Sequence, residues 1–312
     1  MSNIIQTIQQ PSEQIDLSLL TINELDRLHF SEEVSTAEQM KSAPPFSEER
    51  YILLKKGWEN VVRIADEKAL KKGIVLRSFG SNEEEGLFIK KMIHKIRQQN
   101  KKKELTFYEM GVGRGFIVNF LLDENNLSIK GCDAVLEQHL KDNPKFDFEE
   151  STIFNALSKI DDASIDIFYS NDVLEHICED EISEYISLIY RKIADNGIII
   201  TITPNCSTGP HDVTRLFFPP GTKAKGFHFH EYSYYEVKKL FVSHGFKISS
   251  CVVRFFFMRR YIICCKCIEW LIEILRFIVE SFALWIYPIR LRKMIISTLG
   301  CHISIFRKIK KQ

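Results

Sequence analysis

The feature that most constrains the fold of this 312-residue sequence is a glycine-rich turn between a hydrophobic strand and a helix. The strand is predicted over residues 105–110 and the helix over residues 116–122, with Gly111, Gly113 and Gly115 between them. Glycine adopts backbone conformations closed to other residues and lets the main chain approach a ligand without a Cβ atom in the way. The turn therefore indicates either a bound polar ligand or a tight strand-to-helix connection.

Strand and helix patterns alternate from this turn to residue 253, and a β-branched run at 197–202 is typical of a strand buried on both faces of a parallel sheet. Such alternation predicts an α/β fold with a doubly wound, Rossmann-like, seven-stranded sheet. The predicted strands are 105–110, 128–132, 146–153, 165–170, 197–202, 246–253 and 301–308, and the predicted helices include 135–140, 182–193 and 233–244.

Composition and pattern divide the chain into four parts: a helical N-terminal cap at 1–103, a core at 104–253, a hydrophobic basic helical insertion at 254–298, and a final strand with a basic tail at 299–312. The net charge of +1 gives no reason to expect a polyanionic partner such as DNA. The first residues lack the pattern of a secretory signal, and the eight cysteines do not have the spacing of a disulfide framework. We therefore expect a cytoplasmic protein.

The spacing of the glycines separates two classes of cofactor. A dinucleotide-binding turn, G-x-G-x-x-G, would need glycine where this chain has Phe116 or Val118. The residues instead resemble motif I of the class I S-adenosylmethionine (SAM) dependent methyltransferases, E/D-x-G-x-G-x-G, with Glu109 at its acidic position. The resemblance implies SAM as cofactor, with Glu109 facing the amino end of its methionine part beside Gly111, Gly113 and Gly115.

Further segments follow in the order of that family, so that the resemblance spans roughly residues 105–253. Asp133 ends the second strand about 20 residues after the turn, where a carboxylate accepts hydrogen bonds from ribose hydroxyls; the alternative is an N-cap of the next helix. The resemblance also implies that Asn155 contacts adenine, although the family commonly has Asp there. Asn171 and Asp172 belong to the segment 170–177, which resembles the one that closes over the methionine part of SAM.

A metal ion is an alternative role for this segment. Asp172, Glu175 and His176 would share one face of a helix. Similar segments bind metal in ubiquinone-biosynthesis O-methyltransferases and in small-RNA terminal 2′-O-methyltransferases, but many other relatives carry the segment without metal. Because this chain has Asp where the metal-binding enzymes have Glu, we expect no metal.

The long loop after the fifth predicted strand carries three histidines near the carboxyl ends of the strands, where α/β folds bind their substrates. A histidine suits removal of a proton from an acceptor hydroxyl near neutral pH. His211 and His230 are the candidate catalytic residues, and packing or loop fixation is the alternative for each.

The insertion combines one charged stripe with apolar residues on every other side. The stripe contains Lys266, Glu269, Glu273, Arg276 and Glu280. An apolar surface this broad must be covered by the domain as a lid, by a second subunit in a homo-oligomer, or by a membrane surface in contact with residues 259–294. The sequence leaves these alternatives open.

Together these features predict a SAM-dependent methyltransferase that acts on a small molecule, with an oxygen nucleophile on an apolar or lipid-like compound as the acceptor. The resemblance is to small-molecule or ubiquinone-type O-methyltransferases. Two alternatives remain: a catalytically silent SAM-binding scaffold, and an RNA ribose methyltransferase. The protein is expected in the cytoplasm, either free or peripherally attached to a membrane.

Overall fold

A computed structural model describes residues 15–74, 83–255, 260–286 and 288–309. Parts of the predicted cap, insertion and basic tail, namely 1–14, 75–82, 256–259, 287 and 310–312, lie outside the described residues. Within these ranges the chain has nine strands: β1 Leu105–Met110, β2 Leu127–Asp133, β3 Phe146–Glu150, β4 Ile165–Asn171, β5 Ile193–Ile202, β6 Lys247–Ser250, β7 Val252–Phe255, β8 Arg260–Ile263 and β9 Ile303–Arg307.

Seven of the strands in the described ranges form one sheet in the order β3-β2-β1-β4-β5-β9-β6. Strands β1 to β5 are parallel, whereas β9 runs antiparallel to both β5 and β6. This arrangement confirms the predicted Rossmann-like sheet. It also places the carboxyl ends of β1, β2 and β4 side by side, with the glycine turn among them.

Helices cover both faces of the sheet. They are α1 Ile22–Ser42, α2 Glu48–Lys72, α3 Glu83–Asn100, α4 Phe116–Phe120, α5 Gln138–Lys141, α6 Ile153–Ser158, α7 Ile182–Lys192, α8 Tyr234–Ser243, α9 Lys266–Ser281 and α10 Ile289–Thr298. On one face Ile93 of α3 and Val118 of α4 pack with Phe107 of β1. On the other face Ile186 of α7 and Phe241 of α8 share a core with the neighbouring strands. The doubly wound arrangement is therefore confirmed.

Several predicted strands have bounds that differ by one or two residues, and the strand predicted at 197–202 begins earlier, at Ile193. Two further strands end earlier than predicted. The strand predicted at 146–153 ends at Glu150, because Thr152 accepts a hydrogen bond from the backbone of Asn155 and begins α6 instead. The strand predicted at 246–253 divides in two. β6 pairs with β9 in the main sheet, whereas β7 pairs with β8 in a separate hairpin. The insertion thus begins with a β-hairpin before its helices.

The first two helices form a pair that covers the loop after β5. Thr21 and Glu24 form a capping box at the start of α1. Phe30 of α1 packs edge-to-face on Phe217 of the loop, at 5.1 Å between ring centroids. The third helix, α3, is different, because it packs within the core of the sheet. The region predicted as one helical cap therefore contributes both a cover and a sheet-packing helix.

Within the charged stripe of the insertion, Arg276 is buried and the three glutamates are partly buried, whereas Lys266 at the start of α9 is exposed. Arg276 of α9 is 1% exposed and donates hydrogen bonds to the carbonyl oxygens of Val252 (2.6 Å) and Leu299 (2.9 Å). Its guanidinium also contacts Glu273 at 2.9 Å and lies 4.1 Å from the centroid of the Tyr234 ring. This one side chain joins β7, α10 and α8 to the helix.

We predict that Arg276→Met lowers the free energy of unfolding by about 3 kcal/mol, because it removes the arginine donor from the buried carbonyl groups of Val252 and Leu299 and removes one of the cationic partners of Glu273. Urea unfolding followed by circular dichroism measures this change. The matched control is Arg290→Met, at an exposed arginine of α10, which we expect to leave the unfolding midpoint unchanged. Equal midpoints for the two variants would contradict a structural role for Arg276.

Candidate functional site

The glycine turn has the backbone geometry that only glycine adopts readily. The φ angles of Gly111, Gly113 and Gly115 are 70°, 54° and 72°. The amide of Gly111 donates to the carbonyl of Cys132 at 3.0 Å, which holds the turn against the end of β2. A Cβ atom at Gly113 would meet no described atom within 4 Å, so the space above this residue is open to a ligand.

Asp133 fixes the turn from the neighbouring strand. Its carboxylate accepts hydrogen bonds from the amide of Gly113 (2.7 Å) and from the amide of Val135 (3.2 Å). Each oxygen keeps a lone pair for a further donor such as a hydroxyl. Asp133 is not an N-cap of the next helix, because α5 begins at Gln138 with Glu137 as its N-cap. The structure therefore places Asp133 directly beside the open glycine turn.

Several buried carboxylates line the same edge of the sheet. Burial, together with the charges of Asp133 and Glu85, raises the pKa of Glu109 well above its usual value. Within the described ranges Oε2 of Glu109 is buried without a hydrogen-bond partner. Closely spaced carboxylates disfavour their own ionisation and are stabilised by a cation. SAM carries a positive sulfonium and an ammonium group, so these residues fit the cofactor that the resemblance implies.

The segment after β4 has a different local structure from the predicted helix. Asp172 adopts a left-handed backbone conformation (φ 53°), and a short 3-10 turn spans Leu174–His176. The prediction that Asp172, Glu175 and His176 share one face of a helix is therefore wrong. Asn171 is the last residue of β4, and its side-chain nitrogen Nδ2 lies 3.4 Å from Oε2 of Glu85. Burial raises the pKa of Asp172 to about 6.

Asn155 lies at the start of α6 and is exposed. Its main chain is used locally, because its amide donates to Thr152 and its carbonyl accepts from Ser158. The predicted contact of Asn155 with adenine stays a prediction.

A second polar cluster contains Glu175, His176 and His228. One ligand atom from each lies within 4.8 Å of the others, so that these three side chains could hold a metal ion. Burial and the charge of Asp172 raise the pKa of Glu175 to about 8, although Thr203 donates a hydrogen bond to it at 2.8 Å. His176 donates from Nδ1 to a carbonyl oxygen at 2.9 Å, and burial lowers its pKa to about 3. The candidate metal set thus contains His228 in place of Asp172.

Glu231 joins two histidines of the long loop. Its Oε1 accepts from Nδ1 of His228 (2.7 Å) and from the backbone amide of His211 (2.6 Å), while Oε2 lies 3.4 Å from Nδ1 of His211. On the other side of the His211 ring, Nε2 lies 3.0 Å from the hydroxyl of Thr208. Sequence reasoning did not assign Glu231 a role, since only folding of the loop brings it to both rings.

The two rings have different protonation tendencies. Burial lowers the pKa of His211, although Glu231 opposes this effect. Burial also disfavours charge on His228, but the hydrogen bond from Glu231 and the charge of Glu175 raise its pKa overall. Burial disfavours charge on Glu231 as well, yet the hydrogen bond to His228 lowers its pKa. The neutral form of His211 is thus favoured, whereas the hydrogen bond between His228 and Glu231 favours charge on both of its partners.

His230 is separated from this network. Its Nδ1 lies 3.5 Å from Glu179 and its Nε2 lies 3.4 Å from Glu236, the residue that completes the capping box of α8. The hydrogen bond to Glu236 raises the pKa of His230. Of the two predicted catalytic histidines, the structure places only His211 in direct contact with Glu231.

The helix α2 supplies an aromatic residue to the site. The ring of Trp58 lies 5.0 Å from that of His176 and 5.5 Å from that of Phe227, measured between centroids. Sequence reasoning missed Trp58, because a single tryptophan on an amphipathic helix gives no sign of which surface it meets. The N-terminal helices therefore form one wall of the polar cluster.

We predict that Gly113→Ala weakens SAM binding at least about tenfold, since the new methyl group occupies the space through which a ligand approaches the main chain. The matched control is Gly73→Ala at the end of α2. Gly73 has a similar φ of 62° and also has no described atom within 4 Å of a built Cβ, so it imposes the same backbone strain. Isothermal titration calorimetry measures both affinities, and equal values would contradict this position for the cofactor.

Comparison with known proteins gives one family. Residues 108–201 match the family model described as a methyltransferase domain. No curated protein matches the sequence.

Several solved structures are similar to this chain. A 1,6-didemethyltoxoflavin-N1-methyltransferase from Burkholderia thailandensis is 15% identical, over 86% of this chain and 93% of that one, with a TM-score of 0.47. A SAM-dependent methyltransferase from Archaeoglobus fulgidus is 16% identical, over 70% and 94%, with a TM-score of 0.42. The phosphoethanolamine N-methyltransferase 2 of Haemonchus contortus is 14% identical, over 71% of this chain, with a TM-score of 0.40; the match spans 53% of that protein.

Proposed function

We propose that this chain is a class I SAM-dependent methyltransferase that methylates an oxygen nucleophile on a small acceptor with an apolar or lipid-like part. The match of residues 108–201 to a methyltransferase domain supports the first part of this proposal. The observation that carries the proposal is the network in which Glu231 contacts both His211 and His228. A positioned imidazole beside a methyl donor is what methylation of a hydroxyl requires, because the hydroxyl must lose its proton.

We propose that the cofactor lies along the carboxyl ends of β1, β2 and β4. SAM, when bound, supplies an electrophilic methyl group. On the side of the protein, the proposed contacts are the main chain of the glycine turn and polar side chains on the adjoining strand ends: Glu109, Gly111, Gly113, Gly115, Asp133, Asn155, Asn171 and Asp172. The unpartnered Oε2 of Glu109 supports a cationic group nearby.

His211 is the proposed base. Its lowered pKa favours the neutral imidazole. Nε2 is turned away from Glu231 and lies 3.0 Å from the Thr208 hydroxyl, and the acceptor hydroxyl takes the place of that contact. With SAM bound, its methyl group would pass from sulfur to the acceptor oxygen, and Nε2 of His211 would accept the hydroxyl proton. Glu231 is a positioning residue, because it holds the ring from the opposite side. His230 is less suited, since its raised pKa favours the protonated form.

The proposed mechanism needs no metal ion. The proton acceptor in the proposed step is the imidazole of His211, which is not one of the three candidate metal ligands Glu175, His176 and His228. We therefore predict that dialysis against a chelator leaves the turnover rate unchanged, as measured with methyl-labelled SAM. A loss of turnover that Zn²⁺ or Mg²⁺ restores would assign Glu175, His176 and His228 to a metal centre.

The apolar nature of the acceptor rests on the surroundings of the loop. Asn205 and Ser207 connect the loop to the insertion, through hydrogen bonds with Glu280 (2.6 Å) and Arg292 (3.2 Å). The insertion exposes large apolar side chains, and Phe217 and Phe218 of the loop are also exposed. An acceptor that reaches His211 along this surface would meet mostly hydrocarbon.

Incubation with methyl-labelled SAM and cell extract tests the class of acceptor. Label in the lipid or small-molecule fraction is the expected result. Label in RNA would favour the ribose methyltransferase, and SAM binding without label in any fraction would favour the silent scaffold.

We predict that His211→Ala lowers kcat by about 10²- to 10⁴-fold, the usual contribution of a general base, and leaves the Kd of SAM unchanged. The matched control is His94→Ala, at a histidine on the outer side of α3 whose side chain is 58% exposed. Steady-state kinetics on the acceptor found above measure both variants. Full activity of His211→Ala would remove this residue from the mechanism.

The pH dependence provides a separate test of Glu231. Because the base must be neutral, activity is complete above the pKa of His211 and is lost as the pH falls through it, below 6.5. The charge of Glu231 raises that pKa. Glu231→Gln is therefore expected to shift the acid limb of kcat to lower pH, besides lowering the plateau. An acid limb that stays in place, or moves to higher pH, would contradict the positioning role.

A further inference from the structure

We propose that the insertion docks on an anionic membrane surface, with the outer face of α9 in contact with lipid. This inference is independent of the acceptor and of the catalytic residues proposed above. It rests on the orientation of α9 and on the distribution of charge around its outer face.

The helix α9 is amphipathic in the reverse sense to an ordinary surface helix. A surface helix turns its apolar side to the core and its charges to water. Here the outer side is apolar, with Trp270 63% exposed and Phe277 59% exposed. Leu271, Ile274 and Ile278 are exposed on the same helix. In the short 3-10 turn that follows, Trp285 is 86% exposed.

Specific contacts hold the helix in this orientation. Glu280 accepts hydrogen bonds from the side chain of Asn205 (2.6 Å) and the amide of Tyr234 (2.8 Å). Glu273 accepts from the hydroxyl of Tyr234 (2.7 Å) and from Lys238 (2.6 Å). With Arg276 bound on the same side, rotation of α9 toward an ordinary orientation would break every one of these contacts. The exposed apolar face is therefore a stable property of the fold.

The fully exposed charges of the insertion are of one sign. Four basic residues between 260 and 298 are exposed: Arg260, Lys266, Arg290 and Lys293. The acidic residues of this range are partly buried, and Glu269, Glu273 and Glu280 each accept hydrogen bonds from the protein. The outward-facing charge is thus positive, which complements anionic lipid headgroups at about 1 kcal/mol for each basic residue near the surface.

The same charges argue against a second copy of the chain as the occupant. A two-fold symmetric contact brings the same patch of each subunit together, so the basic residues of both patches would meet. Like charges across an interface disfavour association. A membrane surface instead neutralises them, and tryptophan is enriched at the boundary between lipid and water.

The dimensions suit a helix that lies along the surface. The 16 residues of α9 extend about 24 Å, which is less than the roughly 30 Å of a hydrocarbon core. Within the described ranges, each helix is too short or too polar to span a bilayer. Contacts of α9 and α10 with Asn205 and Ser207 place the loop of the catalytic site next to the docked surface.

Vesicle co-sedimentation of the full chain tests the proposal. We expect binding to vesicles of phosphatidylcholine with phosphatidylserine, and at least about tenfold weaker binding to phosphatidylcholine alone. Trp270→Ser combined with Phe277→Ser, and separately Arg290→Glu combined with Lys293→Glu, should each weaken binding by about tenfold or more. The matched control combines Leu19→Ser with Leu70→Ser, at exposed leucines in the N-terminal helical region, and should bind as the unmodified protein does.

The Kd of SAM is measured on every variant, so that loss of folding is separated from loss of docking. Absence of binding to the anionic vesicles, or equal binding by the apolar variant, would overturn the proposal. Sedimentation equilibrium provides the alternative outcome. If the unmodified protein is a dimer and the variant with both Trp270→Ser and Phe277→Ser is a monomer, the apolar face is a contact between two copies of the chain. That result would also overturn the membrane proposal.

Discussion

The hydrogen bond from the amide of Gly113 to the carboxylate of Asp133 is the interaction on which the site depends. It joins the turn after β1 to the end of β2, at a point where the backbone of the turn has left-handed φ angles. Ordering such a turn costs conformational entropy, and the carboxylate offsets part of that cost while itself becoming partly buried. Charge on one buried carboxylate of this edge disfavours charge on its neighbours, and a cationic ligand would favour their ionised forms.

Much of the fold follows from local sequence patterns, and the network of Glu231, His211 and His228 does not. The alternation of strands and helices predicts the sheet, and the spacing of Gly111 to Gly115 excludes a dinucleotide turn. Glu231 and His228 acquire their roles only through the path of the long loop, which no periodicity describes. The helix predicted after β4 does not form for a similar reason. Asp172 has a left-handed backbone conformation, and its backbone amide donates a hydrogen bond to the carbonyl of Ile202 in β5. This contact joins residues that are distant in sequence, so local patterns do not predict it.

The orientation of α9 in the insertion could not be predicted from its sequence alone. The charged stripe on α9 is evident from the spacing of its residues, but the usual rule would place that stripe in water. Its inward orientation depends on Tyr234, Asn205 and Lys238. These residues lie 35 to 75 positions before the glutamates that they contact, Glu273 and Glu280. A buried charge is tolerated only when paired, so the orientation is decided by residues outside the helix.

The position of β9 has a consequence for how the molecule is made. This strand follows all the others in sequence, yet it lies inside the sheet between β5 and β6. During synthesis on the ribosome, β6 therefore has no sheet neighbour until the hairpin and both helices of the insertion have emerged and β9 follows them. A nascent chain stalled before residue 303 would expose the long hydrophobic edge of β5, and we infer that chaperone contact or aggregation is concentrated in that interval of translation.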